Sequence, residues 1–347
     1  MDQISRIGMD TSKQIFQLHG VDAEERVVLR RKLKRKDVAE FFAGLAPTVV
    51  SLEACGGSQF WARVLRELGH EVRLIAPQLV KPYVKRGKND AADAEALCEA
   101  MSRPTMRFVP VKSAEAQAAL MLAGVRDRLI RNRVQLANAI RGHAAEFGLI
   151  APKGPARIVP LLQRIQEETS IPVLARELFA SLAREHRQLE TEIAAVEARL
   201  MAWHRTSDVS RRLARIPGIG PITATTLVMK TPDPHSFRSG RDFAAWLGLT
   251  PKDHSTAGRQ RLGSITRAGD ETLRSLLVVG ATSVIQKVRR GSSRYSSPWL
   301  DRLLERKAPK LVAVALANKI ARVAWKLMTT GQTYDATHTP PAHAAAA

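Results

Sequence analysis

The chain has 347 residues, and its 54 Lys and Arg against 33 Asp and Glu give a formal net charge of +21. Apolar residues make up 45% and charged residues 25% of the sequence, an ordinary globular composition that argues against a disordered chain. Two cysteines, Cys55 and Cys98, are too few for a disulfide framework or a four-thiolate zinc site and fit a reducing compartment. The large basic charge favours a polyanionic partner such as nucleic acid.

The sequence predicts neither a secretory signal nor a membrane span. The first residues, 1–7, include Asp2 and Arg6 and have no apolar core. The longest apolar run, 311–317, is far below the roughly 20 residues that a membrane span needs. We therefore expect a cytoplasmic protein without a membrane partner.

The first hundred residues alternate between strand and helix patterns. Three short apolar or alternating stretches, 4–9, 14–21 and 26–33, predict a three-stranded meander. The pattern then predicts, in order, a helix over 37–45, a strand over 48–52, a helix over 58–68, a strand over 70–76 and a helix beginning near residue 90. We expect a mixed α/β sheet with the first and fourth strands side by side; no Gly-rich nucleotide-binding fingerprint follows its strands.

Two long helices with apolar seams are predicted in the middle of the chain, over 113–147 and 174–203, with a loop rich in Pro and Gly over 152–160 between them. Asn132 or Arg133 interrupts the first seam, and Glu185 breaks the second. These coiled-coil-like seams can pack on each other as a hairpin or on a second subunit, and the periodicity leaves both alternatives open.

The last part of the chain has a different composition. Residues 206–335 contain more Gly and Pro and predict a compact set of helices with a basic loop. The tail, 336–347, has no core pattern and is predicted to be disordered. The division that we predict is 1–108, 109–205, 206–335 and 336–347.

Four carboxylates are the strongest chemical signal. Asp10 ends the first strand, Glu53 ends the fourth, and Asp90 and Asp93 are three residues apart at the start of a helix, where they project from one face. Singly, each carboxylate is better explained as a turn residue, a strand end or a helix cap. Together, beside neighbouring strands, they predict a site for divalent metal, and two such ions can stabilise both oxygens of a phosphodiester displacement.

Two further motifs lie in the last segment. The run 215–224 is a Gly-rich turn leading into a helix, and it resembles the helix-hairpin-helix motif that binds DNA phosphates. A plain helix-helix turn is the alternative. Ser255 and Thr256 lie in a basic loop, where a hydroxyl can attack a phosphate or simply face solvent.

The chain as a whole resembles the DEDD transposases of bacterial insertion sequences, now regarded as bridge-RNA-guided recombinases. The motifs that carry the resemblance, in chain order, are IGMDTSK (7–13), EACG (53–56), KNDAADA (88–94), IPGIG (216–220), FAAWLGLTP (243–251) and GSITRAG (263–269). The resemblance implies an RNase H-like (RuvC-like) N-terminal domain, coiled-coil-like helices and a mainly α-helical C-terminal transposase domain. It also implies a bacterial, nucleoid-associated enzyme.

The resemblance further implies a catalytic and metal-binding tetrad formed by Asp10, Glu53, Asp90 and Asp93. Two Mg²⁺ ions are the expected cofactor, with Mn²⁺ as a substitute. A serine forms a covalent link to DNA in this family, and Ser255 is our candidate, with Thr256 as the alternative nucleophile. The implied partners are DNA at the element ends and target, a structured noncoding guide RNA, and further copies of the chain in a dimer or tetramer assembled through the helical region.

Basic residues are expected to bind nucleic acid, although a solubilising charged face is the plain alternative. The candidates are Arg30, Arg31, Lys32, Lys34, Arg35, Lys36, Lys85, Arg86, Lys88, Arg215, Gly218, Gly220, Arg259, Arg261 and Arg267. Two other functions remain open alongside the recombinase. A RuvC-type endonuclease would hydrolyse DNA with two metal ions and form no covalent link, and a non-catalytic protein would only bind nucleic acid.

Overall fold

The computed structural model describes residues 4–85, 89–231, 233–256, 259, 261–292 and 295–335. The chain divides into two compact units, residues 1–117 and 118–347. The predicted disordered tail and two of the predicted nucleic-acid contacts, Arg86 and Lys88, lie outside the described residues.

The described part of the first unit contains a six-stranded mixed sheet in the order β3-β2-β1-β4-β5-β6. The strands are β1 Arg6–Thr11, β2 Ile15–Val21, β3 Val27–Lys34, β4 Val49–Glu53, β5 Glu71–Ile75 and β6 Phe108–Val109. The first three strands form an antiparallel meander, and β4 runs parallel to both β1 and β5. The predicted meander and the predicted pairing of the first and fourth strands are confirmed.

Helices cover both faces of this sheet. They are α1 Val38–Ala43, α2 Ser58–Glu67, α3 Pro77–Val80 and α4 Asp90–Ala100. Alternating apolar residues of β1 and β2, such as Ile7, Met9 and Phe16, join Phe42 of α1 and Trp61 of α2 in a buried core on one face. The opposite side chains of the same strands face α4, so the period of two residues assigns one face to the core and the other to α4.

The short strand β6 was not predicted. It pairs antiparallel with β5 through Leu74 with Val109 and Ile75 with Phe108. Two residues are too few to produce a readable alternation, so this strand depends on its neighbour rather than on a local pattern.

The second unit is mainly helical. Helix α5 begins shortly before residue 118 and continues into this unit. The helices are α5 Ala114–Ala145, α6 Ile158–Glu167, α7 Val173–Thr206, α8 Asp208–Leu213, α9 Pro221–Lys230, α10 Gly240–Trp246, α11 Glu271–Arg289, α12 Pro298–Arg306 and α13 Pro309–Thr330. A two-stranded antiparallel hairpin consists of β7 Pro251–Asp253 and β8 Leu262–Ile265. In the described part of the chain, no helix has the length and apolar character needed to cross a membrane.

The two predicted long helices are confirmed as α5 and α7. The loop expected over 152–160 is shorter than predicted, because α6 begins at Ile158 and Pro160 lies in its first turn, where no backbone N–H is required. The two long helices contact each other within the chain: Arg126 bonds to Glu197, and Arg133, expected to interrupt the seam, pairs with Glu190 at 3.3 Å. The hairpin alternative is therefore present in the folded chain.

Part of the α7 seam remains uncovered within the chain. Leu174 and Leu178 near its start are 68% and 59% exposed, whereas Ile193 and Leu200 further along are buried. The contacts within the chain thus bury only a part of the apolar seam of α7.

Candidate active-site groups

Strand β1 and helix α4 bring three of the four predicted carboxylates together. Asp10 lies near the end of β1, and Asp90 and Asp93 lie in the first turn of α4, which Asn89 caps by accepting the Ala92 N–H at 2.8 Å. One oxygen from each of the three carboxylates lies within 4.8 Å of the other two. Glu53 follows Leu52, which pairs with Met9, so the fourth carboxylate lies on the strand beside Asp10.

The close approach of α4 to β1 depends on Gly8, a residue whose role sequence analysis missed. A Cβ at position 8 would overlap the carbonyl oxygen of Ala94 and lie 2.5 Å from the nitrogen of Cys98. Ser51 Oγ donates to the Leu97 carbonyl and Arg6 Nε to the Cys98 carbonyl, both at 3.1 Å. The helix that carries Asp90 and Asp93 is therefore fixed directly against the strand that carries Asp10.

The carboxylates perturb one another electrostatically. Burial, followed by the charges of Asp93 and Asp90, raises the pKa of Asp10 to about 6, with a smaller contribution from Glu53. Burial and the charge of Asp93 also raise the pKa of Glu53. Glu53 thus belongs to the same electrostatic cluster, although its oxygens lie outside the tight group of three.

The other acidic residues of α4 are engaged elsewhere. Glu95 pairs with Lys85, and Glu99 pairs with Arg103, which lies just beyond the end of the helix. Their charges are balanced by cations of the protein, whereas Asp90 and Asp93 form no ion pair with a cation of the described residues. Lys85, a predicted nucleic-acid contact, is accordingly in an ion pair with Glu95.

The predicted nucleophile lies in the loop of the β7–β8 hairpin. The Ser255 hydroxyl donates to the carboxylate of Asp253, whose Oδ1 also accepts the Ser255 N–H at 2.9 Å. The Arg261 N–H donates to Ser255 Oγ at 3.0 Å. Ser255 is exposed, so its oriented hydroxyl is accessible from solvent.

Thr256 is held differently. Its backbone pairs with that of Arg259 through N–O distances of 3.3 and 3.0 Å. Among the described residues, its hydroxyl has no hydrogen-bond partner comparable to the Asp253 carboxylate. The geometry of the loop thus orients the hydroxyl of Ser255 rather than that of Thr256.

Asp253 was not predicted from the sequence. The hydrogen bonds from the Ser255 hydroxyl and N–H hold the pKa of Asp253 below its usual range, so this carboxylate is ionised at neutral pH and accepts a hydrogen bond from the hydroxyl. The Asp-x-Ser spacing was the available signal, but such spacing is common in turns.

The Gly-rich turn 214–220 connects α8 to α9 and packs against the core of the second unit. A Cβ at Gly218 would lie 2.9 Å from the Ile320 side chain and 3.2 Å from the backbone of Gly280, and one at Gly280 would overlap the Gly218 carbonyl. Gly220 and Arg215 are exposed. Packing and a left-handed backbone (φ of 91°) thus account for Gly218, whereas Gly220 and Arg215 are accessible to a phosphate from solvent.

The remaining predicted basic contacts lie on several surfaces. Arg31 stacks over Phe41, and Arg35 lies over Trp61, on the face covered by α1 and α2. The exposed side chains in the first unit also include Arg30, Lys32, Lys34 and Lys36, and those in the second unit include Arg259, Arg261 and Arg267.

Comparison with known proteins identifies the class of protein. A family model described as a transposase, of the DEDD type named for IS110, matches residues 7–147, a range that includes all four carboxylates. A second, described as "Transposase IS116/IS110/IS902 family", matches residues 210–296, a range that includes the Gly-rich turn and Ser255. The fold and these matches define a transposase.

Individual relatives agree with this class. The chain is 66% identical to a Sinorhizobium fredii protein named as transposase y4pF/y4sB, over 96% of this chain and 86% of the relative. It is 38% identical to the transposase for insertion sequence element IS1328 of Yersinia enterocolitica, over 96% of this chain and 99% of the relative. It is 36% identical to the transposase for IS1111A of Coxiella burnetii, over 96% and 92%. The chain belongs to the IS116/IS110/IS902 transposase family, whose members process DNA.

Proposed function

We propose that this transposase is a DNA recombinase that inserts and excises its own insertion sequence, guided by a structured noncoding RNA. Residues 1–108 form an RNase H-like (RuvC-like) catalytic domain, 109–205 supply assembly helices and 206–335 carry the serine nucleophile. The observation that carries the proposal is the convergence of Asp10, Asp90 and Asp93 within the region that matches the DEDD transposases.

The residues present fit a divalent cation. Three carboxylates lie within 4.8 Å of one another, and burial together with their mutual repulsion raises the pKa of Asp10. Carboxylate oxygens are hard ligands of the kind that Mg²⁺ prefers. In this proposal Asp10, Glu53, Asp90 and Asp93 hold two Mg²⁺ ions, for which Mn²⁺ can substitute. The bound ions supply Lewis-acid stabilisation of the charge on the reacting phosphodiester.

The second unit supplies the attacking group. Ser255 Oγ bonds to the phosphorus of a DNA phosphodiester while the bond from phosphorus to the leaving-strand oxygen breaks, so one phosphodiester replaces another. The hydroxyl proton passes to the carboxylate of Asp253, to which it already points, and the leaving oxygen takes a proton from solvent. This transesterification requires no oxidant and no nucleotide.

Partners other than DNA follow from the same proposal. The exposed start of the α7 seam, at Leu174 and Leu178, supports a dimer or tetramer assembled through the helical region. The net charge of +21 supports a guide RNA in addition to DNA. RNase treatment of the purified complex is expected to abolish reaction at the chosen target and to leave salt-sensitive, non-specific DNA binding intact.

The proposal is tested by mixing full-length protein, its co-purifying RNA, Mg²⁺ and labelled DNA carrying the element junction, and separating the products on a denaturing gel. We expect a protein–DNA adduct that is absent in Ser255→Ala and retained in Thr256→Ala. Mass spectrometry of the adduct then identifies the linked residue.

The other outcomes contradict the proposal in distinct ways. Loss of the adduct in Thr256→Ala but not in Ser255→Ala would make Thr256 the nucleophile. Free cleaved ends without an adduct would indicate a RuvC-type endonuclease that activates water. Salt-sensitive binding without any cleavage would indicate a nucleic-acid-binding protein only.

A further inference from the structure

A groove of about 450 Å³ lies in the first unit between the β2–β3 hairpin and the start of α4. The helix side of the groove begins at Asn89, next to Asp90 of the acidic cluster. The polar residues that line it include Gln17, His19, Arg30, Lys32, Asn89 and Glu95.

The strand register connects this groove to the acidic cluster. Asp10 pairs with Gln17, and Gln17 pairs with Lys32, so these three residues form one row across the sheet on the face that α4 covers. With roughly 4.8 Å between neighbouring strands, the Cα of Lys32 lies about 10 Å from that of Asp10. The preceding row on the same face runs from Gly8 through His19 to Arg30.

The charges along this face change sign over a short distance. Asp10, Asp90 and Asp93 stand at one end, and the exposed side chains of Arg30 and Lys32 stand at the other. In the part of the chain that the structure describes, neither cation lies within ion-pair distance of a carboxylate. Arg30 interacts at longer range with Glu95, whose ion-pair partner is Lys85. Two exposed cations that form no ion pair among the described residues, next to an acidic cluster, suit a bound polyanion.

We infer that this groove holds the backbone of the DNA strand that is cut, with Arg30 and Lys32 binding the one or two phosphates next to the attacked phosphodiester. The inference rests on the proposed function, because it takes the acidic cluster as the site of cleavage. The row that joins Lys32 to Asp10 favours the substrate strand over a guide RNA, since a strand lying in the groove continues directly to the carboxylates.

The test uses DNA oligonucleotides in which one phosphate at a time is replaced by an uncharged methylphosphonate. The cleaved position is first mapped with the wild-type protein and Mg²⁺, and binding is then measured by fluorescence anisotropy with Ca²⁺ in place of Mg²⁺. We expect the wild-type protein to bind about tenfold more weakly when the neutral linkage is at the first or second phosphate from the cut, because a charge-assisted hydrogen bond is lost there.

The double variant Arg30→Gln/Lys32→Gln is expected to lose this sensitivity. The slope of log K against log salt for single-stranded DNA should also fall by about 1.4, or about 0.7 for each phosphate contact. The control, Arg66→Gln/Lys81→Gln, removes two exposed cations of the same unit that do not line the groove. It should keep the phosphate sensitivity of the wild-type protein.

Each other outcome overturns the inference. If the neutral linkages affect wild type and Arg30→Gln/Lys32→Gln equally, the groove does not hold the phosphates beside the cut. If the variant keeps the DNA sensitivity but loses affinity for the co-purified RNA, the groove binds RNA instead. If the wild-type protein cleaves no DNA, the proposed function fails and this inference fails with it.

Discussion

The two units present their chemical groups in opposite ways. In the first, Asp10, Asp90 and Asp93 stand on a strand and a helix that pack directly on each other, and burial perturbs the pKa of Asp10. In the second, Ser255 stands in an exposed hairpin loop, where Asp253 and the Arg261 N–H orient its hydroxyl. Negative charge is held in a rigid part of the fold, whereas the hydroxyl is held by a few local hydrogen bonds.

This difference has a physical basis. Carboxylates that repel one another keep a fixed spacing only when the backbone that carries them is fixed, and a sheet with a packed helix provides this rigidity. A nucleophile must reach a bulky phosphodiester, so an exposed loop on a structured base suits it better. Substitutions in the two units should therefore have different signatures.

The largest effect is expected from the acidic cluster. Asp10→Asn or Asp93→Asn should lower the rate of Mg²⁺-dependent DNA cleavage about a thousandfold, because the loss of a metal ligand removes several kcal/mol of charge stabilisation. Single-turnover cleavage on denaturing gels measures the rate. Glu99→Gln, on the same helix but paired with Arg103, should cleave like the wild type. A rate within tenfold of wild type for Asp93→Asn would refute the role of the cluster.

A smaller loss of activity is expected in the loop of the second unit. Asp253→Asn should slow adduct formation about 10- to 100-fold, since the amide still accepts the Ser255 hydrogen bond but cannot take its proton. The measurement is the rate of adduct formation at saturating DNA. Asp233→Asn, which alters a comparable exposed turn carboxylate that accepts the His235 N–H, is the control and should react normally. An unchanged rate in Asp253→Asn would mean that solvent takes the proton.

Stability measurements should distinguish the contact between Gly218 of the Gly-rich turn and Gly280 of α11 from the exposed end of the turn at Gly220. Gly280→Ala should lower the free energy of unfolding by about 2 kcal/mol, because its Cβ overlaps the Gly218 carbonyl and forces the backbone apart. Chemical denaturation measures this loss. At Gly220 a Cβ meets no atom of the described structure within 4 Å, so Gly220→Ala should unfold close to wild type. Equal destabilisation by both changes would contradict the packing role assigned to Gly218 and Gly280.

The smallest effect concerns pH. Since the pKa of Asp10 is about 6 in the folded protein and about 3.8 ordinarily, protonation of this group favours folding. In metal-free buffer Asp10→Asn should be more stable than wild type above about pH 6, by about 1 kcal/mol after allowance for partial solvent exposure. The advantage should fade as the pH falls from about 6 to 4.

Thermal unfolding at several pH values, with and without Mg²⁺, measures this effect. Added Mg²⁺ should raise the midpoint of the wild type more than that of Asp10→Asn, because the variant lacks one carboxylate charge. An advantage of Asp10→Asn that grows as the pH falls below 6 would show that the Asp10 carboxyl is not destabilised by its neighbours.

The fold of the first unit follows closely from its sequence. Strands β1 to β5 lie within two residues of their predicted bounds, because one apolar face against a core produces a clear period of two. For the long helices the period was equally clear, but it did not distinguish the part of α7 that packs within the chain, at Ile193, from the exposed part, at Leu174. Periodicity identifies an apolar face and carries no information on which surface covers it.

The candidate site was predictable where residue type and topology act together. Asp10, Asp90 and Asp93 were expected near one another from their positions at a strand end and a helix start, and the structure places them there. Their role in metal binding stays a prediction. Asp253 was not found because a carboxylate two residues before a serine has many structural uses, and only the folded loop shows that it accepts the Ser255 hydroxyl.

Gly8 has a consequence for how copies of such an element decay. No residue is smaller than glycine, so every missense change at position 8 adds at least a Cβ where the helix backbone leaves no room. A copy mutated there would retain all four acidic residues and the serine. Its strand β1 and helix α4, however, would be pushed apart, and the carboxylates that they carry would move with them. A count of the carboxylates and the serine alone would score that copy as functional, although we expect the single added carbon to displace the helix that carries Asp90 and Asp93.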